Sequence, residues 1–204
     1  MNKKKMMMFG IMSGNSGDGG GGGDDTEFIK MIERPELAVI TIPQGTTKIG
    51  DFSFYNYIRL RNVIIPNTVT SIGTRAFEKC ETLSSLELPD SIITIGNYAF
   101  NGCKTLRYLS LSNSLTTIGE FVFSGCRIEQ ISLPSSITDI NYRACYGCLY
   151  LTTVTFLGTP TTINNQAFGY CNNLTTIRVP WAEGAVSGAP WGATNASVIY
   201  SYQP

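Results

Sequence analysis

The chain has 204 residues, of which 43% are hydrophobic, enough for a substantial buried core. Fifteen basic residues balance fifteen acidic ones and the only basic run is Lys3 to Lys5, so the charge pattern excludes a footprint for nucleic acid or for an anionic membrane. Histidine is absent, which removes the usual general base near neutral pH and the commonest zinc and haem ligand. We therefore predict a protein that is not an enzyme and holds no cofactor and no metal.

Residues 1–27 are predicted to be a basic and apolar start followed by a linker. Lys3 to Lys5 and the apolar run from Met6 to Met12 imitate a signal peptide, but the run is at the minimum length and no small-residue cleavage site follows. Ser13 to Asp25 consists almost entirely of Gly, Asp, Ser and Asn, which predicts a flexible linker. Whether this segment is cleaved or anchors the protein stays open.

Residues 28–36 are predicted to form an N-terminal cap helix. Phe28, Met31 and Ile32 fall at helical spacing, as they would on one apolar face of a short amphipathic helix. No run of about 18 apolar residues occurs anywhere in the chain, so we expect no membrane-spanning helix.

From Leu37 onward the sequence repeats with a period of about 23 residues. Seven aliphatic residues mark the repeat at a constant spacing, except for one interval that is a single residue shorter: Leu37, Leu60, Leu83, Leu106, Ile128, Leu151 and Leu174. The one-residue deletion falls between Cys126 and Ile128. A fixed period of this length is typical of a solenoid, because one unit cannot bury its apolar face alone and must stack on its neighbours.

Each unit opens with the pattern L-x-x-[VIL]-x-[ILVF]-P, as in residues 60–66. Apolar residues at every second position predict a short strand. The proline that follows lacks an amide hydrogen and is expected to end the strand ladder there. Ser112 and Leu157 replace this proline in two units.

The second half of each unit predicts a turn and a core phenylalanine. An isoleucine is followed by glycine or asparagine, at Gly50, Gly73, Gly96, Gly119, Asn141 and Asn164. Since asparagine tolerates a positive φ best among residues with a Cβ, we predict a left-handed backbone at this position. A small residue and an aromatic then follow, as in Ala76-Phe77, which predicts a short helical or 3₁₀ turn whose phenylalanine stacks on those of neighbouring coils.

These elements predict a repeat solenoid of six to seven coils over residues 37–180. The expected fold class is a leucine-rich repeat right-handed superhelix, with parallel short strands on one face and turns and short helical or 3₁₀ segments on the other. After Pro180 the repeat lapses, and Trp181 and Trp191 supply bulky apolar groups. Residues 181–204 are therefore predicted to be a C-terminal cap.

The six cysteines include a C-x-x-C at residues 145–148, a spacing found in redox and zinc sites. The repeat accounts for it, because Cys148 shares its position with Cys80, whereas Cys145 stands where the other coils have phenylalanine. Coils stacked about 4.8 Å apart carry parallel side chains, whereas a disulfide needs Cβ atoms about 3.8 Å apart. We therefore predict buried free thiols.

Successive side chains of a strand point to opposite faces, so residues between the inward Leu, Val and Ile point outward. The outward residues that we select as the candidate partner-binding face are Asn62, Ile64, Glu87, Tyr108, Gln130, Thr153 and Arg178. Tyrosine and arginine are enriched in binding hot spots. Serine and threonine dominate the rest of this face and also suit solvated strand positions, so a face without a ligand remains an alternative.

The unit of strand, proline, V-T-x-I-G, A-F and x-x-C resembles the BspA-like leucine-rich repeat family of bacterial surface proteins and many protist proteins. The resemblance covers Leu37 to Pro180 and implies a solenoid that acts in protein binding or adhesion. The stretches from Phe156 to Ile163 and from Val179 to Tyr200 are similar to closing segments of single-domain repeat proteins encoded by gut bacteria and their phages.

We accordingly predict a non-catalytic protein-binding or adhesion-type module. Its expected partner is a protein of a cell surface or a virion, with no nucleic acid and no membrane insertion. The alternative is a structural or receptor-contact component of a bacteriophage particle, in the tail or as a capsid decoration. The identity of the ligand, the oligomeric state and the location stay open at the level of the sequence.

Overall fold

The computed structural model describes residues 38–203, which form a parallel β-solenoid of about seven turns. Within this range the chain contains strands, turns and bends, and no helix. Leu37, the predicted linker and the predicted cap helix over 28–36 lie outside the described residues.

Two kinds of strand alternate along the chain, a longer one where the L-x-x-[VIL] pattern predicts it and a two-residue one at each isoleucine. In chain order they are β1 Val39–Thr41, β2 Lys48–Ile49, β3 Asn62–Ile64, β4 Ser71–Ile72, β5 Ser85–Glu87, β6 Thr94–Ile95, β7 Tyr108–Ser110, β8 Thr117–Ile118, β9 Gln130–Leu133, β10 Asp139–Ile140, β11 Thr153–Phe156, β12 Thr162–Ile163, β13 Thr176–Arg178 and β14 Ser197–Ile199.

Every pair of bonded strands is parallel, and the pairing follows the sequence repeat. Val39 of β1 lies opposite Asn62 of β3, which is one full period further along the chain. Thr117 of β8 lies opposite Asp139 of β10, one residue short of that period. The coils therefore remain in register across the one-residue deletion between Cys126 and Ile128.

The two-residue strands form a continuous six-stranded sheet in the order β12-β10-β8-β6-β4-β2, which we call the second sheet. One isoleucine of each strand points into the core, namely Ile49, Ile72, Ile95, Ile118, Ile140 and Ile163. The sequence predicts only a turn here, because two residues are too short a run to show the alternation that identifies a strand.

The prediction of a left-handed backbone at the glycine after this isoleucine is wrong. Gly96 has no positive φ, and the left-handed residue comes two positions later, at Tyr98 with a φ of 59°. A Cβ at Gly96 would lie 2.6 Å from the backbone nitrogen of Thr74, so glycine is needed because the coils approach closely. Where asparagine occupies the position, Asn141 Nδ2 donates to Ile118 O of the preceding coil at 3.0 Å.

The predicted helical or 3₁₀ segments are turns instead. Alternate amide groups bond to the next coil, as in Phe77 N to Ala99 O at 2.8 Å, and the amides between them donate three residues back, as in Glu78 N to Arg75 O at 3.2 Å. The inter-coil bonds form a third ladder around the coil. Bonds within the turn and bonds to the next coil together satisfy the backbone groups of these segments.

The predicted stacking of phenylalanines is confirmed in the first part of the solenoid. The rings of Phe54 and Phe77 are 4.9 Å apart at 12°, and those of Phe77 and Phe100 are 5.2 Å apart at 5°. Phe123 continues the column at 5.7 Å from Phe100. All four rings are buried and nearly parallel, so each coil repeats the core contact of the one before it.

The last coil packs differently. Trp191 is fully buried, with its ring 5.7 Å from Phe156 and 6.3 Å from Trp181. β14 pairs with β13 at an offset shorter than the repeat, since Thr176 lies opposite Ser197. Tilted and edge-on rings replace the parallel column at this end, which closes the core with residues that lie outside the repeat.

Candidate partner-binding face

The outward side chains of β1, β3, β5, β7, β9, β11 and β13 form one surface, which we call the sheet face. Pairing in register brings these side chains into rows, with Ser85 beside Tyr108 and Glu87 beside Ser110. Each strand contributes one outward side chain to each row, because successive side chains of a strand point to opposite faces. The inward side chains between the rows, such as Leu86 and Val154, are buried.

The seven residues selected from the sequence all lie on this face, but they do not form one cluster. Glu87, Tyr108 and Gln130 line the same depression at its centre. Asn62 and Ile64 lie on β3, toward the N-terminal side. The remaining two lie beyond the depression, Thr153 on β11 and Arg178 on β13. In chain order the seven residues are Asn62, Ile64, Glu87, Tyr108, Gln130, Thr153 and Arg178.

Arg178 has a contact of its own near the C-terminal end of the sheet face. Its guanidinium carbon is 5.4 Å from the centre of the Tyr202 ring, and the residue is only partly exposed. Stacking of this kind holds the planar guanidinium in place while its N–H groups stay available at the edge.

The depression at the centre is shallow and open, and it crosses three strands. Besides the selected residues it is lined by Ser85, Arg107 and Glu129. Tyr108 projects beside it with 66% of its surface exposed, the largest exposure among the bulky hydrophobic residues of residues 38–203. The arrangement offers a ring, hydroxyl groups, an amide and charges of both signs within one concavity.

An ion pair crosses the depression. Arg107 Nε lies 2.9 Å from Glu129 Oε1, and Arg107 also lies with its guanidinium carbon 5.6 Å from the Tyr108 ring. Glu87 on the other side is in no ion pair with a described residue. The depression therefore presents an arginine in an ion pair, a carboxylate in no ion pair with a described residue, and an exposed ring.

The depression coincides with a break in the strand ladder. β5 pairs with β7, and β9 belongs to a separate four-stranded sheet with β11, β13 and β14. β3 and β5 also belong to different sheets, but there Ser84 N still donates to Arg61 O of the preceding coil at 3.1 Å. Between residues 107 and 129, both of which the structure describes, the side-chain ion pair takes the place of that bond.

The break at β9 coincides with the shortened coil. One residue fewer between Cys126 and Ile128 shortens the corner that leads into β9, and here the backbone bond that still spans the break between β3 and β5 is missing as well. Leu109 of β7 is also only partly buried, unlike the central residues of the other strands up to β13. The deletion was visible in the sequence, and it was the signal that could have pointed to Arg107 and Glu129.

The cysteines serve the core rather than a surface site. All six are buried free thiols, in agreement with the sequence prediction. Cys103 Sγ donates to Phe77 O at 3.3 Å, and the cysteines at 80, 126, 148 and 171 make the same contact with the preceding coil. Burial raises the pKa of Cys80 to about 12, and it raises the pKa of Cys145 in the C-x-x-C as well. A thiol in this state is a poor nucleophile near neutral pH.

Among residues 38–203 there is no group of three or more cysteine, aspartate or glutamate residues placed to hold a metal ion. The same range holds no helix long and apolar enough to cross a membrane.

The family model and the solved structures that this chain resembles are all of the leucine-rich repeat type. A family model described as a BspA type leucine-rich repeat region matches residues 32–150 and 138–182, in six copies. A leucine-rich repeat protein from Bacteroides ovatus is 25% identical with a TM-score of 0.64, over 80% of this chain and 43% of that one. The T. pallidum leucine-rich repeat protein is 29% identical with a TM-score of 0.63, over 71% of this chain and 72% of that one.

A leucine-rich repeat protein from Eubacterium ventriosum shares the fold, at 20% identity and a TM-score of 0.61. The match covers 81% of this chain and 49% of that chain. This chain thus spans less than half of the Bacteroides and Eubacterium proteins that it resembles. No curated protein matches it significantly.

Proposed function

The chain belongs to the BspA-type leucine-rich repeat family, and from this we propose that it is a non-catalytic module that binds a protein partner through the sheet face around Tyr108. Repeat proteins of this kind are generally protein-interaction modules and typically non-catalytic. The depression at β5, β7 and β9 is the single observation that carries the proposal, because an exposed ring and charged groups meet there at a break in the ladder.

Several properties of the depression suit a protein partner. A hot spot usually combines a large ring or arginine with surrounding polar contacts that exclude water. Tyr108 supplies the exposed ring, and Glu87 with Gln130 supplies polar groups beside it. The depression is too shallow to enclose a small molecule, since such sites bury most of the ligand.

We further propose that the partner is a cell-surface protein, so that binding amounts to adhesion. The outward rows extend on both sides of the depression, through Asn62 and Ile64 in one direction and through Thr153 and Arg178 in the other. A surface of this length suits an extended partner segment, as solenoids use long sheet faces for recognition.

The test is a pull-down of surface proteins from the native host with the full chain, followed by affinity measurement for the captured protein. Tyr108→Ala and Arg178→Ala together should weaken binding at least about tenfold, in line with the loss of about 1.4 kcal/mol or more at a hot spot. Ile93→Ala serves as the matched control, because Ile93 is 45% exposed next to the second sheet and away from the depression.

An unchanged affinity in the double variant, with Ile93→Ala also unchanged, would show that the sheet face is the wrong one. Antibodies against the chain distinguish the structural phage component from the adhesin. Labelling of purified phage particles in place of the cell surface would replace the adhesion proposal with the phage one.

A further inference from the structure

A second candidate surface runs along the turns on another side of the coil. Two positions after the glycine or asparagine of each coil, the first five coils carry a bulky side chain on a left-handed backbone, and together these residues define the turn face: Phe52, Arg75, Tyr98, Phe121 and Arg143, with φ between 52° and 59°. A residue with a side chain rarely adopts this conformation. Its recurrence places rings and guanidinium groups in one row, a pattern that the sequence analysis did not recognise.

The rings and cations of the turn face contact one another in sequence. The Arg75 guanidinium carbon lies 5.8 Å from the Phe52 ring and 4.9 Å from the Tyr98 ring. The Tyr98 ring in turn stacks on Phe121 at 4.9 Å and 6°. Each contact joins one coil to the next, so the row is continuous from Phe52 to Phe121.

Arg143 is surrounded by three aromatic rings. Its guanidinium carbon lies 4.4 Å from the centre of the Tyr146 ring, 4.8 Å from that of Tyr142 and 5.7 Å from that of Phe121. None of the ion pairs formed among residues 38–203 includes Arg143. Its Nε is buried and has no hydrogen-bond partner among the described residues.

Arg75 occupies the equivalent position three coils earlier and provides the contrast. It too lies against aromatic rings, but its Nη1 is 3.6 Å from Glu78 Oε2. Arg75 is therefore paired with a carboxylate, whereas Arg143 is in no ion pair with a residue of the range 38–203. Two arginines with the same backbone conformation thus differ in their ion pairing, and Arg143 contacts one more ring than Arg75 does.

From this contrast we propose that Arg143 and the rings of Phe121, Tyr142 and Tyr146 form a receptor for the carboxylate of an acidic segment of a partner protein. A guanidinium held against rings keeps its N–H groups at the edge, where a carboxylate can accept two parallel hydrogen bonds. The rings already restrict the side chain, so little conformational freedom is lost on binding.

The neighbouring ring favours a protein segment over another polyanion. Tyr170 is 64% exposed and its ring lies 5.0 Å from that of Tyr146. An acidic residue next to an apolar one can use both the guanidinium and this exposed ring, whereas a uronate polymer carries no apolar side chain. The turn face and the sheet face are separate surfaces, so this inference goes beyond the proposed function and does not depend on it.

The test measures the binding of a fluorescein-labelled hexaglutamate peptide to the full chain by fluorescence anisotropy. Hexalysine and an oligomer of galacturonate of equal length serve as the comparison probes. Arg143→Gln should weaken hexaglutamate binding at least about tenfold, because it removes the charge and the forked donor. Arg75→Gln is the matched control and should change the affinity less than about twofold, since the Arg75 guanidinium already forms an ion pair with Glu78.

Thermal unfolding of each variant checks that the fold is retained. If Arg143→Gln does not fold, Arg143→Lys replaces it and should still weaken binding at least about threefold, because lysine keeps the charge but lacks the planar fork. The Arg143 side-chain NMR signal should shift when hexaglutamate is added and not when hexalysine is added. A purely structural arginine would give no such shift.

Three results would overturn the proposal. The first is no saturable binding of hexaglutamate, and the second is an equal loss of affinity in Arg143→Gln and Arg75→Gln, which would reflect net charge alone. The third is tighter, Arg143-dependent binding of the galacturonate oligomer, which would assign the site to a polysaccharide. None of these results bears on Tyr108 or Arg178, so the sheet-face proposal is tested separately.

Discussion

The second sheet and the sheet face are built from the same repeat, with six strands in one and seven in the other, yet only the second sheet is regular. The second sheet runs unbroken through β2, β4, β6, β8, β10 and β12, whereas the strands of the sheet face are divided into separate sheets. The one-residue deletion between Cys126 and Ile128 lies at the corner before β9. The difference teaches that one side of a solenoid can hold the register while another side absorbs a change in length.

The physical reason lies in how each side is held. The second sheet stacks one buried isoleucine per coil and brings backbones close together at glycine, as at Gly96. A shift of one residue there would move an isoleucine out of the core. In β7 the inward residue Leu109 is only partly buried, and polar side chains span the gap between β7 and β9. The strand ladder is therefore broken on the side of the coil where a break lowers the stability least.

The largest expected effect is a loss of stability on truncating a core residue, which we compare at two positions of the same coil. Ile118 of β8 is fully buried and Leu109 of β7 is partly buried. Ile118→Ala should lower the free energy of unfolding by about 4 kcal/mol, and Leu109→Ala by less than half as much. Urea unfolding followed by circular dichroism measures both. Equal losses would mean that the sheet face at β7 is packed as firmly as the second sheet.

Two glycines test which side of the coil tolerates an added methyl group. At Gly96 a Cβ would lie 2.6 Å from a backbone nitrogen, so Gly96→Ala should cost about 3 kcal/mol. At Gly125 nothing lies within 4 Å, but φ is +69°, so Gly125→Ala should cost about 1 kcal/mol for the backbone conformation. Urea unfolding again gives the comparison, and a larger loss at Gly125 would contradict the role assigned to close packing.

The buried thiols predict a loss of stability in alkaline solution. The pKa of Cys80 is about 12 in the folded chain against an ordinary value of 9.0, so below pH 9 the thiol is protonated in both states. Between pH 9 and about pH 12 the unfolded chain releases a proton that the folded chain keeps, and stability falls by about 1.4 kcal/mol per pH unit. From pH 8 to pH 10, Cys80→Ser should therefore lose about 1 kcal/mol less than the parent chain.

Urea unfolding at the two pH values measures this difference, which isolates the thiol because the two chains differ only at residue 80. A thiol count on the denatured, unreduced chain checks the premise, since the six cysteines must all be free. Identical pH dependence in both chains would mean that Cys80 is accessible to solvent in the folded state.

The smallest effect concerns the ion pair across the depression. Arg107 and Glu129 are both nearly half exposed, and such pairs contribute about 0.2–1 kcal/mol. A double-mutant cycle with Arg107→Gln and Glu129→Gln should give a coupling in this range that decreases with added salt. A coupling energy above about 2 kcal/mol would lie outside the range of exposed ion pairs. It would mean that the ion pair makes a main contribution to the association of β7 with β9.

Much of the fold was predictable because each coil repeats the same contacts. The markers from Leu60 to Leu174, the phenylalanine column and the cysteines were placed correctly, since a residue that recurs at a fixed interval must meet its own counterpart. The second sheet, the turns in place of helical segments and the true reason for Gly96 were not predictable. They depend on contacts between coils, which a single unit does not display.

The candidate site was predictable only in part. Tyr108, Glu87 and Gln130 could be placed on one face from alternation alone. Their meeting in a depression with Arg107 and Glu129 required the strand break, and the environment of Arg143 required contacts from two coils.

The sequence by itself determined the solenoid, its period and the inward or outward direction of each strand residue, because these follow from local alternation and from a repeat that must stack on itself. Only the tertiary structure decided where the regular ladder breaks, which arginine pairs with a carboxylate among residues 38–203, and why glycine follows the isoleucine in most coils. These features depend on distances between neighbouring coils, and such distances arise only when the coils are packed together.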